Sequence, residues 1–151
     1  MEKTLVLIKP DAMIKNLAGN IITELNSLGL KMIGLKLVNV KRELAEQHYF
    51  DIKEKKGKDV FEKLIKHITG KLHNNENVIA IVYHGKNAIQ KVRVVAGDTH
   101  PENAEPNTLR GKYGRVHSKT NCYENVLHAS DSLESAEREI KLWFKDDELV
   151  G

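Results

Sequence analysis

The 151-residue sequence contains a single cysteine, Cys122. One cysteine excludes an intrachain disulfide and a metal site built from several thiolates, and it is typical of a protein in a reducing compartment. No apolar run approaches the ~20 residues that a membrane-spanning helix needs, and the apolar stretch at the N-terminus is too short for a signal peptide. We therefore expect a cytoplasmic protein with no membrane partner.

An excess of charge of one sign is also missing. The 24 basic and 21 acidic residues are interspersed and give a formal net charge of only +3, which argues against a protein dedicated to binding nucleic acid. The aromatic-rich pattern with which some sheet surfaces stack RNA bases is absent as well. We expect no specific nucleic-acid partner.

Several familiar phosphate and metal motifs are lacking. None of the Gly-Lys pairs is followed by Ser or Thr, so the chain has no Walker A loop, and the motif set of protein kinases is absent. No His, Asp and Glu spacing predicts a metal cage. Any Mg²⁺ is therefore expected to be held mainly by the phosphates of a substrate.

Hydrophobic periodicity indicates one domain over residues 1–151. The order of elements predicts an α+β fold, a ferredoxin-like α/β sandwich whose four-stranded antiparallel sheet carries helices on one face. A parity shift between Leu37 and Val38 predicts a bulge or burial on both faces. The predicted strands are 4–9, 31–41, 77–85 and a short one within 125–132, and the predicted helices are 18–28, 43–50, 60–68, 86–95 and 133–144.

Two stretches depart from regular periodicity. The segment "EKKGK", 54–58, is interpreted as an exposed turn. Residues 97–123 show no helical or strand period, and so long a loop in a small domain is usually functional or disordered. After it, Asp131 and Glu134 have the spacing of a capping box for the last helix.

Polar side chains gather where the predicted strands and helices end. Guanidinium and ammonium groups beside neutral hydrogen-bonding groups suit a chain of phosphates. On the residues alone, Lys9 is more readily explained as a solvated lysine, Arg93 could equally cap helix carbonyls, and Asn125 could hold a turn. The candidates are Lys9, Arg93, Thr99, Arg110, Lys112, Asn125, Ser130 and Ser132.

His128 follows the apolar pair Val126 and Leu127 and comes just before the last predicted helix. Free amides at a helix N-terminus favour an anion there and disfavour imidazolium. A neutral imidazole could attack phosphorus or act as a base, and Glu139 could reach back to orient the ring. A purely structural histidine remains the alternative at this point.

The segment "NVLHASDS", 125–132, carries the signature of the nucleoside diphosphate kinase family, which the chain resembles from Thr4 to Leu149. "IKPDA", "HY", "GDTHP" and "TLRG" appear in the family's order. The resemblance implies ping-pong transfer of the γ-phosphoryl group of a nucleoside triphosphate, mainly ATP, to a nucleoside diphosphate through phosphohistidine on His128. It also implies Mg²⁺ as cofactor and a homo-oligomer, either a hexamer or a tetramer.

The same resemblance implies the roles of individual residues. Asp131 would act near Mg²⁺ through water. The implied catalytic residues are His128, Lys9, Glu139 and Ser130, the last two orienting the histidine. The implied nucleotide-binding residues are Lys9, Tyr49, Val60, Leu64, Arg93, Thr99, Arg110 and Asn125.

The chain departs from the family in two places. Val60 and Phe61 stand where the family has an aromatic pair that stacks on the base, so stacking is weaker unless Phe61 replaces it. The spacer from Arg110 to Asn125 is longer than usual, and its cationic side chains could border the pocket, lie at a subunit contact or simply be solvated. A nucleotide-binding regulatory module without turnover stays the alternative function.

Overall fold

Six strands and eight helices form the fold in the computed structural model, which describes residues 1–151. The strands are β1 (Glu2–Ile8), β2 (Lys31–Asn39), β3 (Asn77–Gly85), β4 (Arg115–Val116), β5 (Tyr123–Glu124) and β6 (Leu127–Ala129). The helices are α1 (Pro10–Ile14), α2 (Ala18–Asn26), α3 (Arg42–His48), α4 (Ile52–Lys56), α5 (Lys58–Ile68), α6 (Ala88–Ala96), α7 (Leu109–Tyr113) and α8 (Leu133–Trp143). No helix has both the length and the apolar character required to cross a membrane.

Four strands form an antiparallel sheet in the order β2-β3-β1-β6, and β4 pairs with β5 in a separate hairpin. This order and the packed helices confirm the predicted ferredoxin-like α+β fold. The central strand β1 is apolar on both sides, because Leu5 and Leu7 face one core and Val6 and Ile8 face the other. A sheet that is apolar on both faces needs cover on both.

The prediction of helices on one face only was therefore wrong. Helices α2 and α6 cover one face of the sheet, and α3, α5 and α8 cover the other. The predicted bulge is also misplaced, because the register of β2 against β3 shifts between Met32 and Gly34. At the end of this shift a Cβ on Gly34 would lie 2.7 Å from Leu149, so the C-terminal segment packs closely against the backbone there. Leu37 instead lies on the exposed side of this edge strand.

Residues 54–58 were predicted as a turn but lie mostly in the short helix α4, which ends at Gly57 with a left-handed φ of 89°. The helix was missed because none of its residues is buried, so it has no apolar stripe. Helix α1 was missed for a different reason, since it spans a single turn. Lys9 leaves β1 extended, as expected, and Pro10 occupies the first helical position, where its missing N–H costs nothing.

The long segment 97–123 is more regular than its sequence indicates, because it contains a 3-10 turn, α7 and the β4–β5 hairpin. These elements are too short to produce a period. The capping prediction for α8 is corrected as well. Ser132 is the N-cap, and its hydroxyl accepts the backbone N–H of Ser135. The capping residue is therefore Ser132 and not Asp131.

The motif "TLRG" builds α7. Thr108 caps the helix by accepting the backbone N–H of Gly111, and this places Arg110 in the first turn. A Cβ on Gly111 would lie only 2.0 Å from the carbonyl oxygen of Glu105. Glycine is therefore required there by the close approach of the two backbone segments.

We expect Gly111→Ala to lower the free energy of unfolding by about 1–3 kcal/mol, because the added methyl group must displace backbone. Urea denaturation followed by circular dichroism measures the loss. Gly19→Ala is the matched control: Gly19 lies in α2 with nothing within 4 Å of an added Cβ, so this variant should be as stable as the parent or slightly more so. Equal stability of both variants would contradict the prediction.

Candidate active site

Pairing of β6 with β1 brings the candidate residues to one end of the sheet. Leu7 lies opposite His128, and two residues further on the backbone N–H of Lys9 donates to the carbonyl of Val126 at 2.9 Å. Residues two apart on a strand point to the same face. The lysine and the histidine thus belong to neighbouring positions on adjacent strands.

His128 is held from one side by a carboxylate. Its Nε2 lies 2.9 Å from Oε2 of Glu139, and the same oxygen accepts the hydroxyl of Ser130 at 2.7 Å. Ser130 is itself fixed, because its Oγ accepts the backbone N–H of Leu5. A neutral imidazole that donates from Nε2 to a carboxylate keeps its lone pair on Nδ1. The ring is oriented, partly exposed, and free to react at Nδ1.

A second histidine, His48, packs edge-on against His128 with ring centroids 4.5 Å apart. Burial, with smaller effects from the charges of Arg138 and Lys9, holds the pKa of His48 well below its usual range. The indole N–H of Trp143 donates to Nδ1 of His48 at 3.1 Å. His48 is therefore a neutral ring with its proton on Nε2, and it supports His128 without adding charge.

Ligand atoms of His48, His128 and Glu139 lie within 4.8 Å of one another, which is close enough for a metal ion. Each group already has a partner, however. Trp143 uses Nδ1 of His48, the remaining nitrogen of that ring carries a proton, and Glu139 accepts from both His128 and Ser130. We assign no metal to this cluster.

Lys9 is buried and bonds to the side chain of Asn125, with 2.7 Å between Nζ and Oδ1. The amide nitrogen of Asn125 donates in turn to the carbonyl of Thr99 at 3.0 Å. Burial, together with the charge of Arg110, lowers the pKa of Lys9 to about 8. A lysine with few partners and a lowered pKa is ready to bind an anion.

Arg110 is buried and joins the turn after α6 to the segment that leads into β6. Its guanidinium donates to the carbonyls of Gly97 at 2.8 Å, Asn125 at 3.2 Å and Leu127 at 2.9 Å. Burial and the charge of Arg93 lower the pKa of Arg110 to about 10. Arg93 is exposed, and its guanidinium forms no hydrogen bond or ion pair within the chain. The structure gives Arg110 a bracing role that the sequence did not predict, and it leaves Arg93 free for an anion.

Tyr49 and Asp131 border the same region. Burial, with smaller effects from Cys122, Glu139 and Asp11, raises the pKa of Tyr49, so its phenol stays neutral. Its ring stacks edge-on against His48 at 4.7 Å. Asp131 is exposed, and hydrogen bonds from Ser135 lower its pKa and keep it ionised.

The residues expected to contact the base lie on α5. Val60 is 38% exposed and Leu64 is half-buried, both on α5. The alternative that Phe61 replaces the missing stacking residue is wrong, because Phe61 is only 8% exposed and packs in the core with Ile65. An open depression of about 740 Å³ between α5 and the start of β3 includes none of the predicted residues.

Sequence reasoning missed three residues that lie behind the site. Asp11, His67 and Cys122 form a buried chain of hydrogen bonds beneath Lys9. The available signal was weak: His67 lies three residues after Leu64 on the otherwise apolar face of α5. Cys122 has no signal in the sequence, because its neighbours are loop residues.

Cations around a histidine with a free lone pair suit one class of enzyme, a phosphotransferase. The sequence model of the family described as "Nucleoside diphosphate kinase" matches residues 2–149. The chain therefore belongs to the nucleoside diphosphate kinase family.

Individual relatives agree with this assignment. A nucleoside diphosphate kinase of Pyrococcus abyssi is 48% identical over 148 residues, which cover 98% of this chain and 87% of the relative. One from Staphylococcus epidermidis is 44% identical over 150 residues, which cover 99% of this chain and 92% of the relative. A solved structure from Borrelia burgdorferi, a transition-state mimic with bound vanadate and ADP, has a TM-score of 0.89 at 36% identity and covers 99% of this chain and 90% of its own.

We expect Glu139→Ala to lower kcat by about 10²-fold, because the hydrogen bond that sets the tautomer and orientation of the His128 ring is then lost. Glu139→Gln should lose about tenfold or less, since a carboxamide oxygen can still accept from Nε2 and from Ser130. Steady-state kinetics with circular dichroism as the folding control measure both. Equal losses for the two variants would show that the charge of Glu139 matters and its hydrogen bonds do not.

We expect kcat/KM to fall as the pH rises through about 8, because Lys9 loses its charge with a pKa of about 8 in the free protein. Below that pH the ammonium group is present and binds phosphate. A profile from about pH 6 to pH 10 measures the effect. In Lys9→Arg the guanidinium stays charged, so the basic limb should disappear, whatever the absolute rate. A limb that persists unchanged in Lys9→Arg would assign it to another group.

Proposed function

We propose that the protein transfers the γ-phosphoryl group of a nucleoside triphosphate, mainly ATP, to a nucleoside diphosphate in two half-reactions through His128. One observation carries the proposal: Nε2 of His128 is bonded to Glu139, which leaves Nδ1 as the nucleophile. The phosphoryl group is held on the ring between the two half-reactions.

In the first half-reaction, the lone pair on Nδ1 attacks the γ-phosphorus atom. The P–N bond forms as the bond to the β–γ bridging oxygen breaks, and the electron pair of that bond leaves with the nucleoside diphosphate. The ring becomes positively charged while Nε2 keeps its proton, and Glu139 stabilises that charge. A new nucleoside diphosphate then attacks the phosphohistidine by the reverse path.

The cations stabilise the phosphoryl oxygens during both transfers. Lys9 and Arg93 have free donors, and Arg110 has two N–H groups left after its three bonds to carbonyls. The hydroxyl groups of Thr99 and Tyr49 add neutral donors beside them. Asn125 bonds to Lys9 and therefore lies beside the proposed phosphate site. We propose that its side chain also binds a hydroxyl group of the sugar.

Mg²⁺ is proposed as the cofactor, and the donor set fits an ion carried by the substrate. Asp131 offers an ionised, exposed carboxylate suited to contact through water. When bound, Mg²⁺ would supply positive charge that offsets part of the negative charge of the phosphates. The residues of the chain still have to orient the histidine and bind the remaining oxygens.

The substrates are proposed to be nucleoside di- and triphosphates with little selection for the base. Val60 and Leu64 offer aliphatic contacts at one side of α5, and the buried Phe61 cannot stack. A chain that binds phosphates through several charges and the base through two aliphatic groups discriminates weakly between bases. The ADP named with the Borrelia burgdorferi enzyme is consistent with this class of substrate.

A homo-oligomer, either a hexamer or a tetramer, is part of the proposal. Leu35 and Leu37 support it, because they are 52% and 61% exposed on the edge strand β2 and form an apolar surface that another chain could cover. A cytoplasmic location is also proposed, on the basis of the single free cysteine, Cys122.

A nucleotide-binding regulatory module without turnover is not favoured. Such a module needs cations for the phosphates, but it has no need of a histidine whose tautomer is fixed by a carboxylate and a serine. The family relatives are named as kinases. A phosphoenzyme distinguishes the two functions directly.

We expect incubation with γ-labelled ATP to give a phosphoprotein that is acid-labile and alkali-stable, the behaviour of phosphohistidine. His128→Ala should bind ATP and remain unlabelled, because the nucleophilic nitrogen is then missing. Gel electrophoresis after acid and alkali treatment measures the label.

His117→Ala serves as the matched control, since His117 lies in the β4–β5 hairpin outside the cluster. It should be labelled like the parent. Labelling of His128→Ala at the parent level would end the proposal, and ATP binding with no label in the parent would indicate the regulatory module instead.

A further inference from the structure

A chain of buried polar groups runs behind Lys9 and takes no direct part in the proposed reaction. The thiol of Cys122 lies 3.5 Å from Nδ1 of His67, and Nε2 of His67 lies 2.9 Å from Oδ1 of Asp11. The other carboxylate oxygen, Oδ2, accepts the backbone N–H of Val126 at 3.0 Å. Asp11 is 0% and His67 1% exposed, so both must find partners within the protein.

The hydrogen bonds define the protonation states of Asp11, His67 and Cys122. Burial opposes the charge of Asp11, but the hydrogen bond from His67, the charge of Lys9 and the N–H of Val126 lower the pKa of the carboxyl. Burial lowers the pKa of His67, so the ring is neutral. Its proton therefore sits on Nε2, facing Asp11, and Nδ1 accepts the S–H of Cys122.

Asp11 fixes a backbone turn that belongs to the site. Val126 has a φ of 75°, a left-handed conformation that is costly for a β-branched residue. Its N–H bonds to Asp11 and its carbonyl accepts the N–H of Lys9. The preceding residue, Asn125, presents the amide oxygen that binds Nζ of Lys9. Asp11 thus holds the strained residue from which Asn125 reaches the lysine.

Asp11 also supplies a negative charge that favours protonation of Lys9. Arg110 from α7 opposes the lysine's charge, and Asp11 from α1 favours it. Cys122, on the loop before β5, could favour it only as a thiolate. Burial raises the pKa of the thiol, so the thiol stays protonated and Asp11 acts alone.

Four charged or titratable groups face the His67 ring. Besides Asp11, Cys122 and Lys9, the ring of His73 lies 5.3 Å from it between centroids. His73 pairs with the buried carboxylate of Glu124 at 3.3 Å. The second carboxylate therefore has its own partner and does not replace Asp11 beside His67.

We infer that Asp11 and His67 form a positioning couple for the phosphate site, in which Asp11 holds the Asn125–Val126 turn and the charge of Lys9, and His67 holds Asp11 in place. The inference rests on the proposed role of Lys9 as a phosphate-binding cation. Neither residue contacts the substrate, so both act through Lys9 and Asn125.

A thiol nucleophile activated by His67 and Asp11 is the competing reading of the same three side chains. Cys122 is only 5% exposed, and its pKa is raised rather than lowered. Reactive cysteines have the opposite properties. The cysteine therefore serves as the last hydrogen-bond donor of the chain.

The test compares pH profiles of kcat/KM for Asp11→Asn, His67→Leu and His67→Gln. Asparagine removes the charge and keeps the shape, leucine removes the donor to Asp11, and glutamine retains a donor for Asp11. Asp147→Asn is the matched control for net charge, since Asp147 is exposed in the C-terminal 3-10 turn. Circular dichroism and γ-labelling of His128 are recorded for every protein.

We expect the basic limb of the Asp11→Asn profile to move about one pH unit toward acid, because Lys9 loses the charge that favours its protonation. At about pH 9 kcat/KM should be about tenfold below the parent, and at about pH 6 within about twofold. His67→Leu should move the limb in the same direction, and His67→Gln should restore it. Asp147→Asn should match the parent.

A folded Asp11→Asn with the parent's limb, or with one constant loss at every pH, would overturn the inference and leave Asp11 a structural residue. If Asp11→Asn does not fold, the two His67 variants decide the question. Basic limbs at the same pH in His67→Leu and His67→Gln would overturn the inference. Failure of the proposed function is a separate result, because the parent protein itself would then acquire no label on His128.

Discussion

The antiparallel pairing of β6 with β1 is the constraint on which the site depends. It sets His128 opposite Leu7 and joins the N–H of Lys9 to the carbonyl of Val126. A slip of one residue would turn both side chains to the other face of the sheet. β6 has only three residues, so its register needs outside support, which Ser130 gives through its bonds to Leu5.

Repulsion between the cations of the site destabilises the ligand-free protein, and a bound nucleotide would relieve it. Lys9 and Arg110 are both buried, and each is affected by a neighbouring cation, which together with burial lowers their pKa values to about 8 and about 10. Net positive charge held away from water destabilises a protein that has no ligand. The phosphates of a nucleotide bring negative charge into that field, so part of the binding energy comes from relief of repulsion that is already present.

The sequence predicted what depends on local pattern and on strong motifs. β3 and α8 have clear periods, and the ordered motifs identified His128, Lys9 and Glu139, which the structure brings to one region. Side-chain direction was harder: Phe61 and Val60 are neighbours on α5, and only tertiary packing decides that Phe61 enters the core. The bracing bonds of Arg110 were unpredictable, because their acceptors are backbone carbonyls, which every residue carries, and only the tertiary structure brings those of Gly97, Asn125 and Leu127 to the guanidinium.

The longer spacer between Arg110 and Asn125 has a structural role that a solvated loop would not have. It folds into the β4–β5 hairpin, which carries the buried Glu124 to His73 and brings Cys122 to His67. Arg115 adds an ion pair to Glu124 at 3.3 Å. The insertion thus closes the back of the phosphate site with a neutral thiol and a paired carboxylate, so it shields the Asp11–His67 couple from water. Because charge interactions strengthen as water is excluded, this shielding increases the influence of Asp11 on Lys9.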